Sequence, residues 1–540
     1  MCNKGEREGR DRSDPMSLVP DLSGLALHED NTRPATVVAV VAVVPTAADD
    51  GGEPGSSSAT YAMPPPKRAR SPKDDDSDRP RPTLVAKLLK HRGSNADGWG
   101  KGAGAFLAGP VTFLAMVRYL RDNTTYARRY ESIRNLRNFP HWNATNLLPD
   151  GLVCNEMDDA MNADNGWLAS MVPPGLSEDR GYYTRRDWRD KKVFVLGDFH
   201  GSLHSLLDVF LDMVGQGAFK EDGSGLLADD VAVVCLGDLL DRSPYTLECF
   251  YLMLRLCREN PGRCVLTAGN HETDQRQWEQ AAGTAHEIRN EKGDQCPTGT
   301  ETFTQRMVKV TEALPSALIA KTPLGTLQMN HGSYEEYVAG SPQADAFLKF
   351  VRFDPATADA LETKDEKGGN QLQWADVAVD PAPPASGRET RDALAVAGYL
   401  ERMGLSMLVR GHSDLANLSL LYAKGREPPR AVQDENAVAN ASPNATYPNY
   451  GYAMTDPRAP TQREARGNTF LRKGHDFTLE PGYDMYTLHE APDADDFDKH
   501  LVTEVAGAQD LLVVTVASCP FSKPLPPVSM MSCYLAIGLS

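Results

Sequence analysis

Three apolar runs, each closing on a glycine followed directly by Asp or Asn, constrain this chain more than any other feature: VFVLGDFHG from Val193, VAVVCLGDLLDR from Val231 and CVLTAGNHE from Cys264. Short apolar runs bounded by turn residues read as buried strands. The first is followed by an amphipathic helix carrying Leu203, Leu206, Leu207, Phe210, Leu211 and Val214, and Ser243 with Pro244 reads as the N-cap and first turn of a helix after the second. Strands alternating with helices predict a largely parallel sheet, whose ligands sit beyond the carboxyl ends of the strands. Three polar loops fall at those ends. TLQMNHGS, SMLVRGHSD, LLVVTVAS and CYLAIGL supply four more strands further along the chain.

The rest of the 540 residues divides by composition. Residues 1–82 are rich in Pro, Gly, Ser, Asp and Ala and predict a disordered low-complexity tail. Within it, Val37–Val44 is an apolar run too short to span a bilayer, and Lys67, Arg68 and Arg70 form a basic cluster of the kind that serves nuclear import or is simply solvated. Residues 83–190 predict a helical extension packed on the main domain, with Phe113, Leu114, Met116, Val117 and Leu120 spaced along one face. The main domain is expected over 191–540, interrupted by polar surface insertions near 281–300, 355–390 and 422–500.

A net charge of −18 argues against nucleic-acid and membrane-surface partners. Nine scattered cysteines, with Cys235 and Cys264 inside strand-like runs, suit a reducing compartment. The start of the chain lacks the charged-then-apolar order of a signal peptide, so an intracellular protein, cytoplasmic or nuclear, is expected.

The strand-end residues are oxygen and imidazole ligands, a set that suits two divalent ions of Mn, Fe or Zn. Asp198 and His200, two apart in GDFHG, can converge on one ion. Asp238 in GDLLDR has lone pairs enough to bridge both ions. Asn270 in GNHE, His331 in NHGS and His412 in RGHSD complete a second site. A hydroxide between the ions would attack phosphorus in line. His271, beside Asn270, is placed to protonate the leaving oxygen, with Asp241 orienting its ring. Arg242 can grip phosphate oxygens, and Arg388, or less favourably Arg391, would clamp from the opposite wall, while Asn270 also borders the substrate.

The ordered series GDFHG, GDLLDR, GNHE, NHGS, RGHSD resembles the signature of the phosphoprotein phosphatases, the Ser/Thr phosphatase branch of the calcineurin-like metallophosphoesterases. QWAD from Gln373, followed by the stretch from GRETR to Arg410, is similar to that branch's segment carrying a substrate-binding arginine. The resemblance implies an α/β sandwich of two β-sheets flanked by helices, a dinuclear centre, and hydrolysis of phosphomonoesters in phosphorylated proteins or small phosphoesters. Ser243 stands where the family has glycine, NHGS replaces a double-glycine form, and VTVASCPF matches a C-terminal loop only loosely. Two alternatives therefore stay open: hydrolysis of dinucleoside polyphosphates or other nucleotides, and a non-catalytic phosphate-recognising scaffold.

Overall fold

The computed structural model describes residues 37–44, 112–123, 148, 152–241 (save 163, 165, 178, 221 and 223), 245–273, 302–366, 371–377, 389–412, 418–423, 469–473, 483–490, 501–505, 511–518 and 532–539. All of them belong to one unit, Thr36–Ser540.

Among the described residues, seventeen strands build two large sheets and a small one. Strands β1 (Val37–Val44), β3 (Lys192–Leu196), β4 (Val231–Cys235), β5 (Cys264–Leu266), β15 (Leu501–Val505) and β17 (Ser532–Leu539) form a six-stranded sheet in the order β15-β1-β17-β3-β4-β5. Strands β2 (Arg180–Asp187), β6 (Ala317–Thr322), β7 (Gly325–Asn330), β8 (Ala360–Glu366), β11 (Met407–Arg410), β12 (Leu418–Ala423), β13 (Thr469–Lys473), β14 (Tyr483–Glu490) and β16 (Leu511–Val516) form a nine-stranded sheet in the order β13-β14-β12-β16-β11-β7-β6-β2-β8. The short β9 (Asp376–Val377) and β10 (Thr390–Arg391) pair in parallel. Helices are α1 (Phe113–Asn123), α2 (Leu152–Met161), α3 (Leu203–Gly215), α4 (Thr246–Glu259), α5 (Asn270–Thr273), α6 (Phe303–Ala313), α7 (Pro342–Val351), α8 (Gln371–Trp374) and α9 (Ala393–Met403).

The two-residue period of a strand explains the layering. In β3, Val193 and Val195 face one way and Phe194 and Leu196 the other; in β4, Ala232 and Val234 oppose Val233 and Cys235. Val193, Val195, Ala232 and Val234 meet Leu318, Ala320, Leu327, Met329 and Val409 of the nine-stranded sheet, so one core lies between the sheets. Phe194, Leu196, Val233 and Cys235 meet α1, α2, α3, α4 and α6 on the outer face. A third cluster joins Tyr183, Ile319, Leu408 and Val513 to α7 and α9. Strands buried on both faces read as continuous apolar runs, and each such Val or Leu contributes about 1.5–3 kcal/mol. Strands β3, β4 and β5 are parallel in register, which carries the three Gly-Asp/Asn turns to a single sheet edge.

Several sequence expectations are corrected. The apolar run Val37–Val44, inside the expected disordered tail, is a strand paired antiparallel to both β15 and β17; the rest of the tail lies outside the described residues. Residues 180–187, expected in the helical extension, are β2, paired with β6 and β8. The insertion expected at 355–390 contributes β8, whose charged sequence ALETKDE suits a sheet edge. That expected at 422–500 contributes β13 and β14, which prolong the nine-stranded sheet beyond β12; the 281–300 segment lies outside the described residues. Helix α4 starts at Thr246 with Tyr245 as N-cap, and Ser243 and Pro244 lie outside the described residues. In the extension, Phe113, Leu114, Met116, Val117 and Leu120 are all buried, as their spacing requires. Cys235, Cys249, Cys257 and Cys264 are buried and not disulfide-bonded, whereas Cys154 is disulfide-bonded, a departure from the reducing compartment expected. Among the described residues no helix is long and apolar enough to cross a membrane.

Candidate metal centre

The turns that end β3 and β4 are stitched to each other by backbone hydrogen bonds: the Phe199 and His200 N–H groups donate to the Asp238 carbonyl at 3.0 and 2.8 Å, and Gly201 N–H donates to Leu239 O at 2.8 Å. Holding two loops this tightly demands unusual backbone. Five described non-glycine residues have positive φ, and four of them, His200, Asp238, Asp241 and His412, are predicted site residues. Strain of this kind persists only where surrounding structure enforces it, and it marks functional loops. Two glycines are forced by crowding: a Cβ on Gly269 would lie 2.2 Å from Asp238 Oδ1, and one on Gly411 would lie 2.3 Å from Asp198 Oδ1.

The nine-stranded sheet delivers the remaining ligands. β7 and β11 are parallel with Asn330 opposite Arg410, so His331 and His412 emerge side by side, and Gly411 N–H donates to the His331 carbonyl at 3.1 Å. His331 Nε2 then lies 2.9 Å from Asn270 Oδ1, 3.1 Å from Asp238 Oδ2 and 2.9 Å from His412 Nδ1. A single imidazole N–H cannot point at three atoms at once. Four lone-pair atoms converging on one point fit a cation, and a nitrogen and oxygen set of this kind suits Mn, Fe or Zn.

The same Asp238 oxygen also faces His200, with Nε2 at 3.4 Å from Oδ2. The Nδ1 of His200 lies 3.0 Å from the Leu240 carbonyl, and donation there leaves Nε2 with its lone pair toward the carboxylate. Two three-residue groups thus have ligand atoms within 4.8 Å of one another, His200–Asp238–His271 and Asp238–His331–His412, and Asp238 belongs to both. Asp198 stands against the second group: its oxygens accept the His412 N–H at 3.2 and 3.1 Å, and Oδ1 is 3.6 Å from His331 Nδ1.

Burial would raise the Asp238 carboxyl, but the imidazoles of His331, His271 and His200 hold it well below the usual carboxylate range. Burial opposes protonation of His331, yet the charges of Asp238 and Asp198 raise its proton affinity above that of an ordinary imidazole. A cation captured here displaces that proton, so uptake weakens as pH falls.

His271, the third member of the first group, has its Nδ1 3.1 Å from Asp241 Oδ2, while its backbone N–H donates to Asp238 Oδ1 at 3.0 Å. Arg242 and Arg388 lie outside the described residues. Arg391 is buried, its Nη1 held by Glu336 Oε1 at 2.8 Å and Glu389 Oε1 at 2.6 Å, with its guanidinium over the Tyr334 ring.

The five motifs, met in one place around a shared carboxylate, agree with the comparison with known families: residues 191–414 match the calcineurin-like phosphoesterase model. These residues form a calcineurin-like phosphoesterase domain. Two curated relatives are the serine/threonine-protein phosphatase PP1-1 of Saccharomyces cerevisiae, 37% identical over 19% of this chain and 28% of its own, and the serine/threonine-protein phosphatase 4 catalytic subunit of Candida glabrata, 40% identical over 16% and 24%. The chain thus spans about a quarter of the length of these relatives. A solved serine/threonine phosphatase from Saccharomyces cerevisiae with similarity to human phosphatase PP5 aligns at 18% identity over 50% of this chain and 73% of its own, with a TM-score of 0.35.

Two supporting residues of the calcineurin-like domain escaped the sequence reading although they lie inside quoted motifs. Glu272 of GNHE is buried and accepts backbone N–H groups from Asp238 (2.7 Å), Gly269 (2.8 Å), Leu239 (2.9 Å) and Leu240 (3.1 Å), which fixes the bridging turn. Asp376 of QWAD places Oδ1 3.7 Å from His412 Nε2.

Proposed function

We propose that this chain is a metal-dependent phosphoesterase that cleaves phosphomonoesters, with phosphoserine and phosphothreonine in proteins as the substrate class. The convergence of Asn270, His331 and His412 on Asp238, which His200 also faces, carries the reading. Asp198, His200, Asp238, Asn270, His331 and His412 would hold two divalent ions of Mn, Fe or Zn. When bound, such ions acidify a water and neutralise phosphoryl oxygens. Asp238, which belongs to both groups of candidate ligands, would serve both positions. His271 donates a proton to the departing seryl or threonyl oxygen, and Asp241 keeps the ring aimed and stabilises its charged form. Arg242 and Arg388 are assigned to phosphate orientation. That the two curated relatives are serine/threonine-protein phosphatases supports the substrate class.

Chelation is the first test. Phosphate release from phosphopeptides is expected to vanish in EDTA and return when Mn is added in excess; persistence in chelator sinks the proposal. Turnover of diadenosine tetraphosphate above that of any phosphopeptide would favour the nucleotide reading, and fewer than one bound ion per chain the scaffold reading.

The acid role has a sharper signature. His271→Gln is expected to slow phosphoserine cleavage by roughly 10²–10⁴-fold, the usual worth of general acid catalysis. Cleavage of p-nitrophenyl phosphate, whose phenolate leaves without a proton, should suffer far less. Equal losses on the two substrates would remove His271 from the proton-transfer step.

A further inference from the structure

Arg410 is fully buried beside the ligand loops, and no step of the proposed chemistry uses it. It ends β11, directly opposite Asn330 at the end of β7. Its Nε donates to the Gly332 carbonyl at 3.0 Å, one residue beyond His331, and its Nη2 donates to the carbonyl of His412 itself at 3.4 Å. The same Nη2 is 3.5 Å from Asp376 Oδ1, the oxygen that faces His412 Nε2. One planar cation therefore ties both histidine loops to each other and to the carboxylate behind the second ring.

The far side of the His331 loop is pinned independently. Asn330 Nδ2 donates to the carbonyls of Ser333 at 2.6 Å and Leu372 at 2.9 Å. Asn330 Oδ1 accepts from Gln328 Nε2 at 2.8 Å, and Gln328 Oε1 accepts the Tyr399 hydroxyl at 2.6 Å. Against that fixed wall, the Arg410 fork sets how far Gly332 and His412 stand apart. A lysine carries the charge without the rigid fork and cannot hold the Gly332 and His412 carbonyls in the same geometry.

We propose that Arg410 is a positioning residue that fixes the spacing of His331 and His412, and so the affinity for the ion gathered by Asp238, Asn270, His331 and His412; this rests on the dinuclear reading given above. Outer groups that orient metal ligands typically change affinity by about 10–100-fold when replaced. The test is Mn titration by calorimetry of the full chain after chelator treatment, wild type beside Arg410→Lys, with metal content measured on the same samples. The wild type is expected to take up two ions. In R410K one class of site should weaken by roughly 10–100-fold with the other unchanged, and kcat should recover as Mn is raised.

Two unaltered affinities in a folded R410K overturn the proposal and leave the dinuclear reading standing. A wild type that takes up fewer than two ions overturns that reading and this inference with it. Should R410K fail to fold by circular dichroism, Asp376→Asn keeps the bond to Gly332 and removes only the charge behind His412. It is then expected to weaken the same class several-fold, and an unchanged affinity overturns the proposal.

Discussion

Asp238→Asn is expected to lower phosphopeptide turnover by on the order of 10³-fold, because one substitution weakens both cation positions together. Metal Lewis acidity supplies several kcal/mol of transition-state stabilisation, and each 1.4 kcal/mol or so is tenfold in rate. The amide is the informative replacement. Its oxygen can still accept the His271 backbone N–H that Asp238 Oδ1 takes at 3.0 Å, so the turn keeps a partner while the bridging charge is lost. Bound metal, measured by mass spectrometry, should fall in parallel with an unchanged circular dichroism spectrum. Turnover within tenfold of wild type would remove Asp238 from the centre of the mechanism.

Glu272→Ala is expected to destabilise the fold more than any other single change at the centre. The carboxylate satisfies four buried backbone N–H groups, of Asp238, Leu239, Leu240 and Gly269, and each orphaned buried donor costs about 1–3 kcal/mol. Partial relaxation leaves a loss of about 4–5 kcal/mol, which for a domain of this size lowers Tm by on the order of 10 °C. Burial and the neighbouring charge of Asp238 raise the Glu272 carboxyl, opposed by those same N–H groups, so the charged form depends on the turn as the turn depends on it. Glu272→Gln keeps one acceptor oxygen and should fall between. The measurement is thermal unfolding followed by circular dichroism, and a Tm within a degree or two of wild type would show that water replaces the carboxylate.

The two substitutions separate what the local sequence encodes from what it does not. Asp238 was legible because a carboxylate after a buried apolar run and a glycine has few other reasons to exist. Glu272 and Arg410 stand inside quoted motifs as well, but their work is hydrogen bonding to carbonyls and N–H groups brought in by other strands, and nothing in a motif shows which backbone will arrive. Arg391 shows the same limit from the other side: the sequence offers it as the less favoured alternative to Arg388 for a phosphate clamp, and the fold surrounds it with Glu336, Glu389 and Tyr334. An edge strand was hidden for another reason. β8, at one edge of the nine-stranded sheet, carries charged and polar residues because an edge needs only one apolar face, so ALETKDE lacks the alternation or continuity that marks a strand.

By itself the sequence determined the parallel β3, β4 and β5 unit, the glycine turns that end it and the ligand types on offer, because buried runs and turn residues are set by local sterics and hydrophobicity. The tertiary structure alone decided that β17, more than three hundred residues away, lies against β3, and that the β7 and β11 register puts His331 Nε2 and His412 Nδ1 2.9 Å apart. Pairing between distant strands leaves no local signature. It is settled only when the two apolar faces close on a shared core and the polar ends are carried together.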